Sequence, residues 1–279
     1  MSFKNFMPTV WAEAINRELE RKLVFAEDCN REYEGTVSKM GDTVKILGVG
    51  KPTITEQDDG SEIILKDPEK VADTSVSMII NHVAHFNFLV DDIDKRQSVG
   101  GLMDALNAEA SEGLAGKIDQ KIALLANDRG APKLAQNTIG ITKANILETL
   151  DQAIEKLMEN DVSAETKIVA TIPPWMLTLL RQAYRELDTD NSALLKNGRM
   201  GRYNNVIIKM SNNCAKNSDN GHNIMMRTTR AIAYCNPLTH TEPYRPEKRF
   251  SDAVKGFTLY GTKIVRPKEL IIINAKKGA

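Results

Sequence analysis

The chain has 279 residues, of which 42% are hydrophobic, and is long enough for one large soluble domain or two ordinary ones. Lysine plus arginine and aspartate plus glutamate number 37 each, and this zero net charge argues against a protein whose main task is to grip nucleic acid phosphates. No apolar run reaches the roughly 18 residues of a membrane span, and no signal-peptide core precedes Glu13. Cys29, Cys214 and Cys235 are widely spaced, which indicates buried, reduced thiols in a cytoplasm.

An amphipathic helix is predicted near the amino terminus. Pro8 suits the first turn of a helix, and apolar residues follow at a spacing of four: Trp11, Ile15, Leu19 and Leu23. A terminal helix with such a face must bury it in its own core or on a neighbouring chain.

An extended hairpin is predicted after residue 31. Residues 33–39 and 42–47 have the pattern of two strands joined at Gly41, and clean strand alternation returns at 72–80 and 86–90. The polar residues 56–61 have the composition of a hairpin tip. Because two strands alone cannot enclose a core, we expect this hairpin to be stable only against another surface.

The longest predicted helix covers residues 98–127. Its apolar stripe consists of Leu102, Leu106, Ala110, Leu114, Ile118, Ile122 and Leu125. The opposite face is predicted to be solvated or interfacial, with Asp104, Glu109, Glu112, Lys117, Asp119 and Lys121. Gly113 and Gly116 each cost about 1 kcal/mol relative to alanine, which suggests that another backbone packs closely there. A break between two shorter helices is the alternative.

A second block of mixed helices and strands follows Pro132. In chain order it contains a helix at 146–158 capped by Thr142, a buried strand at 168–172, a helix at 175–187, and strands at 206–210, 224–234, 253–265 and 271–273. The strand at 253–265 is predicted to be broken at Gly256 and Gly261. The fold class is therefore α+β.

No catalytic constellation emerges from the sequence. His82 and His85 with the aspartates that follow them are a weak metal-site candidate, because residues three apart on a strand face opposite sides. Asp188 and Asp190 begin like a calcium loop, but its glycine and closing glutamate are missing. Residues 197–202 are a candidate anion cradle, although a loop packed on its own domain is favoured. We therefore expect no enzyme activity, cofactor or metal, and a binding or structural role.

Four segments, in the same order along the chain, resemble the major capsid proteins of tailed double-stranded DNA bacteriophages, the family with the Hong Kong phage capsid fold. Residues 6–46 resemble the family's N-terminal arm running into its extended loop, and FNFLVDDIDKRQS at 86–98 resembles the approach to its long spine helix. LLKNGRMGRYNNVIIKMSNN at 194–213 is similar to a glycine-framed turn before a strand. FSDAVKGFTLYGTKIVRPKEL at 250–270 resembles the closing strands of the peripheral domain.

The resemblance implies a division of the chain into named parts. They are an N-terminal arm at 1–33, an extended loop (E-loop) at 34–85, a peripheral domain at 86–137 and 237–279 with its spine helix at 98–127, and an axial domain at 138–236. The extended loop is expected to lie across a neighbouring subunit.

The same resemblance implies a structural protein of the virion, assembled in the host bacterial cytoplasm. Its partners would be copies of itself in hexamers and pentamers, a separate scaffolding protein, a portal, and packaged DNA contacted weakly and without sequence specificity, with no membrane. The predicted subunit-interface residues are Phe6, Trp11, Ile15, Gly41, Asp42, Asp58, Asp59, Gly60, Arg199 and Arg202.

Two alternatives remain open at the level of sequence. An encapsulin-like compartment shares the fold but encloses enzymes. A cytoplasmic two-domain hydrolase is the alternative of another class, with a site near His82, Asp91 and Asp92.

Overall fold

A computed structural model describes residues 18–19, 22–33, 41–49, 73–91, 102–163, 165–186, 200–247 and 251–278. The predictions for the amino-terminal helix before residue 18, the strand at 34–39, the hairpin tip and residues 187–199 lie outside these ranges. The described chain is a mixed α+β fold.

The helices of the described ranges are α1 (Leu102–Leu124), α2 (Ile146–Glu159) and α3 (Pro174–Glu186). The strands are β1 (Thr43–Val49), β2 (Asp73–Ile79), β3 (His82–Asp91), β4 (Ile139–Ile141), β5 (Ile168–Ile172), β6 (Met200–Tyr203), β7 (Val206–Met210), β8 (Ala215–Lys216), β9 (His222–Thr228), β10 (Ile232–Tyr244), β11 (Ser251–Ile264) and β12 (Leu270–Lys277). None of the described helices is both long enough and apolar enough to cross a bilayer.

Three sheets organise the strands. β1 and β2 form an antiparallel hairpin in which Thr43 pairs with Ile79, as the sequence predicted for the base of the hairpin. A second sheet has the order β10-β11-β3, and a third has the order β4-β12-β9-β5-β7-β6, with β8 beside β9. Only Ile80 and Asn81 separate β2 from β3, so the hairpin runs directly into the second sheet.

The seven-stranded sheet is buried on both faces, which explains its continuous apolar sequences. On β12, Ile271 and Ile273 belong to a core with α2 and α3, whereas Leu270 and Ile272 belong to a core with α1 and residues 19–29. The confirmed buried strand β5 and helix α3 lie in the first of these cores.

The spine-like helix α1 runs without a break through Gly113 and Gly116, so the alternative of two shorter helices is wrong. No heavy atom lies within 4 Å of a Cβ placed at either glycine, so the predicted close approach of another backbone is absent from the described chain. Asp119 is only 1% exposed, which contradicts its assignment to the solvated face.

Three further predictions are corrected. Asn145, not Thr142, occupies the N-cap of α2. The strand predicted at 224–234 is two strands, because residues 229–231 form a turn between β9 and β10. β11 continues through both glycines, which leave space for side chains opposite: a Cβ at Gly256 would lie 2.6 Å from the Phe86 ring, and one at Gly261 2.6 Å from Ile80 Cδ1.

Candidate assembly surface

The base of the β1–β2 hairpin has a buried side and an open side. Val44, Ile46, Met78 and Ile80 pack against β10 and β11 through Ala233, Cys235 and Leu259. On the other side Ser75 and Ser77 are exposed, and 51% of Ile79 is accessible. The strand alternation predicted for residues 72–80 is therefore confirmed where the side chains are described.

The exposed side of the hairpin continues along β3. This strand is an edge strand, since within the described residues only β11 pairs with it. Val83 and Leu89 are 43% and 37% exposed, whereas Ala84 faces the core beneath α1. An edge strand with exposed apolar side chains is a template for contact with another chain.

A groove of about 590 Å³ lies between β3 and α1. Its walls are mainly apolar, with Val83 and Phe86 on one side and Leu114 and Leu124 on the other. Gly113 lies on the helix side of the groove, and its lack of a side chain leaves open space there. Lys117 and Lys121 also line the groove, so an apolar floor is accompanied by positive charge.

Residues 24–28 are fastened to α1 by a buried carboxylate. Asp119 accepts hydrogen bonds from the backbone N–H groups of Val24, Phe25 and Ala26, at 2.8, 3.0 and 3.2 Å. Burial raises the pKa of Asp119 although the three N–H donors and Arg227 oppose that shift. The amino-terminal segment is thus held by the carboxyl-terminal third of α1.

The same segment is fastened to the seven-stranded sheet. Arg227 of β9 is fully buried and donates hydrogen bonds to the carbonyl oxygens of Asp28 at 2.6 Å and Phe25 at 2.7 Å. Lys209 of β7 pairs with Asp28 and with Glu27, the latter at 2.7 Å, and Lys167 pairs with Asp28 at 2.8 Å.

Opposing effects set the protonation of this ion-pair group. Burial alone would raise the pKa of Asp28, but Lys167 and Lys209 hold it below its usual value. Burial would lower the pKa of Lys209, but Asp28 and Glu27 hold it above its usual value. Both partners therefore remain charged at neutral pH. We call Asp119, Arg227, Lys209, Asp28 and their contacts to residues 24–28 the amino-terminal clamp.

The predicted interface residues are only partly described. Gly41 lies at the hairpin base with φ of 90°, and its N–H donates to the Ile80 carbonyl at 2.9 Å, while the Asp42 carbonyl accepts from the Ile80 N–H at 3.1 Å. Arg202 is exposed on β6, in a different sheet, and donates to Asn205 Oδ1 at 3.3 Å. The other predicted interface residues lie outside the described ranges; they are Phe6, Trp11, Ile15, Asp58, Asp59, Gly60 and Arg199.

The described residues of the hydrolase alternative, His82 and Asp91, are not brought together, and Asp92 lies outside the described ranges. His82 and Asp91 stand at opposite ends of β3, about 30 Å apart along a strand of that length. Within the described ranges, no group of three histidine, cysteine or acidic side chains is arranged to hold a metal ion. The three cysteines are buried and form no disulfide, as predicted.

Comparison with solved structures places this fold among viral shells. A structure from Mycobacterium phage Che8 matches with a TM-score of 0.72 and 27% identity over 92% of each chain. The capsid of cyanophage P-SCSP1u matches with a TM-score of 0.62 and 15% identity over 87% of this chain and 85% of that one. The mature capsid of bacteriophage PhiM1 matches with a TM-score of 0.62 and 17% identity over 91% and 87%. No protein-family model and no curated protein matches the sequence.

Proposed function

Because the chain has the fold of tailed-phage major capsid proteins, we propose that it is the subunit of an icosahedral phage or prophage head that encloses double-stranded DNA. In this proposal the subunits form hexamers and pentamers in the host cytoplasm, with a scaffolding protein and a portal. Residues 1–33, 34–85, 86–137 with 237–279, and 138–236 would act as arm, extended loop, peripheral domain and axial domain.

The observation that supports assembly is the open apolar side of β2 and β3. Ile79, Val83 and Leu89 remain accessible along one continuous stretch of chain, beside the groove between β3 and α1. An accessible apolar edge strand is a template for contact with another chain, and in a shell the next copy of the subunit would cover it. We propose that this edge and groove, together with the predicted interface residues, contact neighbouring subunits.

A structural role also agrees with the separation along β3 of His82 from Asp91, two residues that the hydrolase alternative needs close together. The compartment alternative is not favoured, because the structure from Mycobacterium phage Che8 matches with 27% identity and a TM-score of 0.72, whereas a virus-like particle from Pyrococcus furiosus matches with 11% and 0.61. No catalytic residue is proposed.

The test is assembly of the purified full chain, alone and together with the products of its neighbouring genes, followed by electron microscopy and sedimentation. We expect closed shells. A protein that stays monomeric at every concentration and salt tested would contradict the proposal.

Two matched variants locate the contact. Val83 on β3 and Met158 on α2 are both 43% exposed, so replacing either by lysine has a similar small effect on the isolated subunit. We expect Val83→Lys to abolish shell formation and Met158→Lys to retain it. Normal shells from Val83→Lys would exclude the β3 edge as a subunit contact.

A further inference from the structure

A polar pocket of about 560 Å³ lies away from the apolar groove, where the loop 132–138 and the turn 216–219 meet β9 and β12. Its volume is within the usual range of small-molecule sites. Three lysines line it, Lys133, Lys216 and Lys276, and Asp219 is the only acidic residue among its lining residues. The net charge of the lining is therefore +2, although the whole chain is neutral.

The positive charge of the three lysines is available to a ligand. Within the described part of the chain, none of the three ammonium groups is paired with a carboxylate. Asp219 is already engaged, because its carboxylate accepts a hydrogen bond from the hydroxyl of Thr138. An anion entering the pocket would thus meet uncompensated positive charge.

The floor of the pocket has two buried carboxamides with unused oxygens. Asn223 and Asn274 are 5% and 6% exposed and lie directly opposite each other on β9 and β12. The Asn223 amide donates to Asn127 Oδ1, but the Oδ1 atoms of Asn223 and Asn274 have no partner among the described residues. Most buried polar atoms have a partner, and a ligand or a water in the pocket is one way to satisfy these two oxygens.

The walls of the pocket are held in place by backbone contacts. Leu134 N–H donates to the Ile272 carbonyl and Ile272 N–H to the Pro132 carbonyl, both at 2.8 Å, which fixes Lys133 beside β12. On the other wall the Asn217 side chain accepts from the N–H of Gly221 at 2.7 Å. Gly221 is required there, because a Cβ would lie 2.3 Å from the Ala275 carbonyl oxygen.

We propose that this pocket binds a nucleotide phosphate. The three lysines would pair with the phosphate oxygens, and the carboxamides of Asn223 and Asn274 would accept hydrogen bonds from a base or sugar. Two sources offer this chemistry, a nucleic acid strand and a free nucleotide. If the source is a nucleic acid strand, its identity as packaged DNA rests on the proposed function. The binding of a nucleotide phosphate in the pocket does not.

The test measures binding to the unassembled full-length subunit. Fluorescence anisotropy follows a labelled single-stranded oligodeoxynucleotide, with unlabelled duplex DNA, ATP and a polyglutamate peptide as competitors. The variant is Lys133→Gln/Lys216→Gln/Lys276→Gln. The control, Lys45→Gln/Lys263→Gln/Lys268→Gln, removes the same charge from three exposed lysines elsewhere.

We expect at least a tenfold loss of affinity in the pocket variant. The slope of log K against log salt should shrink by about 2, which is the value for three lost phosphate contacts on a single strand. The control variant should keep both the affinity and the slope. An equal loss in the two variants, no loss in either, or equally strong competition by polyglutamate would overturn the proposal.

The competitors identify the source. Displacement by ATP would indicate a free nucleotide, and displacement by DNA alone would indicate a nucleic acid strand; either outcome supports the pocket. Asn274→Asp adds a carboxylate to the floor and should also weaken binding at least tenfold, with folding checked by circular dichroism. A subunit that binds through these lysines but forms no shell would contradict the proposed function and leave this inference intact.

Discussion

The central strands of the seven-stranded sheet and the strands that follow the hairpin tip show how differently one chain can use a β-strand. Leu270 to Ala275 on β12 are buried on both faces, between α1 on one side and α2 with α3 on the other. In contrast, Ile79 and Val83 are about half exposed, and nothing within the described chain covers them. The first region is covered on both faces by its own chain, whereas the second leaves apolar side chains exposed.

The largest effect is expected from a charge placed inside the completed region. Leu114 on α1 is 4% exposed, so Leu114→Asp would bury an unpaired carboxylate and prevent folding. The matched control is Leu124→Asp on the same helix, where the side chain is 49% exposed and the protein should fold. Circular dichroism and the yield of soluble protein distinguish the two. If Leu114→Asp folds as well as Leu124→Asp, the stripe on α1 is not the core.

Neighbouring residues on β2 sharpen the comparison further. Met78→Ala should reduce the free energy of unfolding by about 2–5 kcal/mol, because Met78 is fully buried. Ile79→Ala, one residue further along the strand, should change it by less than about 0.5 kcal/mol in the isolated subunit. Urea unfolding of the monomer measures both values. Similar losses for the two variants would mean that the hairpin is also covered on its outer side.

The clamp offers a test of polar rather than apolar burial. Asp119→Ala removes the acceptor of three backbone N–H groups and should cost about 3 kcal/mol, since each unsatisfied buried donor costs about 1–3 kcal/mol. Glu109→Gln on the same helix is the control, because Glu109 is exposed. Urea unfolding gives the comparison, and equal stability of the two variants would show that the clamp contributes nothing.

A smaller and pH-dependent effect is expected at Asp28. Its folded pKa is lowered, so the stability that its ion pairs provide is present at neutral pH and is lost as the pH falls through that lowered pKa, below about 4. Asp28→Asn should therefore cost about 1.5–3 kcal/mol at pH 7. The difference from the original protein should shrink towards pH 3. A difference that is independent of pH would exclude the charge of Asp28 as its cause.

Sequence patterns predicted those elements in which buried apolar residues recur at a regular spacing. The apolar run of β5 and the alternation of β2 were predicted correctly. The stripe on α1 was confirmed at Leu114, Ile118 and Ile122, whereas Leu106, Ala110 and Leu125 are only partly buried. Asp119 was assigned to the solvated face because of its residue type. Its helical position gives the better signal, since it lies four residues after the buried Ala115 and three before the buried Ile122.

Contacts between distant parts of the chain could not be predicted from local pattern. Gly256 and Gly261 suggested breaks in β11, but their role depends on Phe86 of β3 and on Ile80, which directly follows β2. Arginine is usually exposed, yet Arg227 follows Ile224, Met225 and Met226 in an apolar run and is fully buried. The subunit contacts stay a prediction, since they require a second copy.

The hydrogen bond from Arg227 to the Phe25 carbonyl joins residues 202 positions apart in sequence. During synthesis, the stretch around Phe25 emerges early but must wait for most of the polypeptide before its final partner exists. Contacts of such long range slow folding, because a large loop must close before they form. The contacts that fasten residues 25–28 to β9 are therefore completed only after Arg227 has been synthesised.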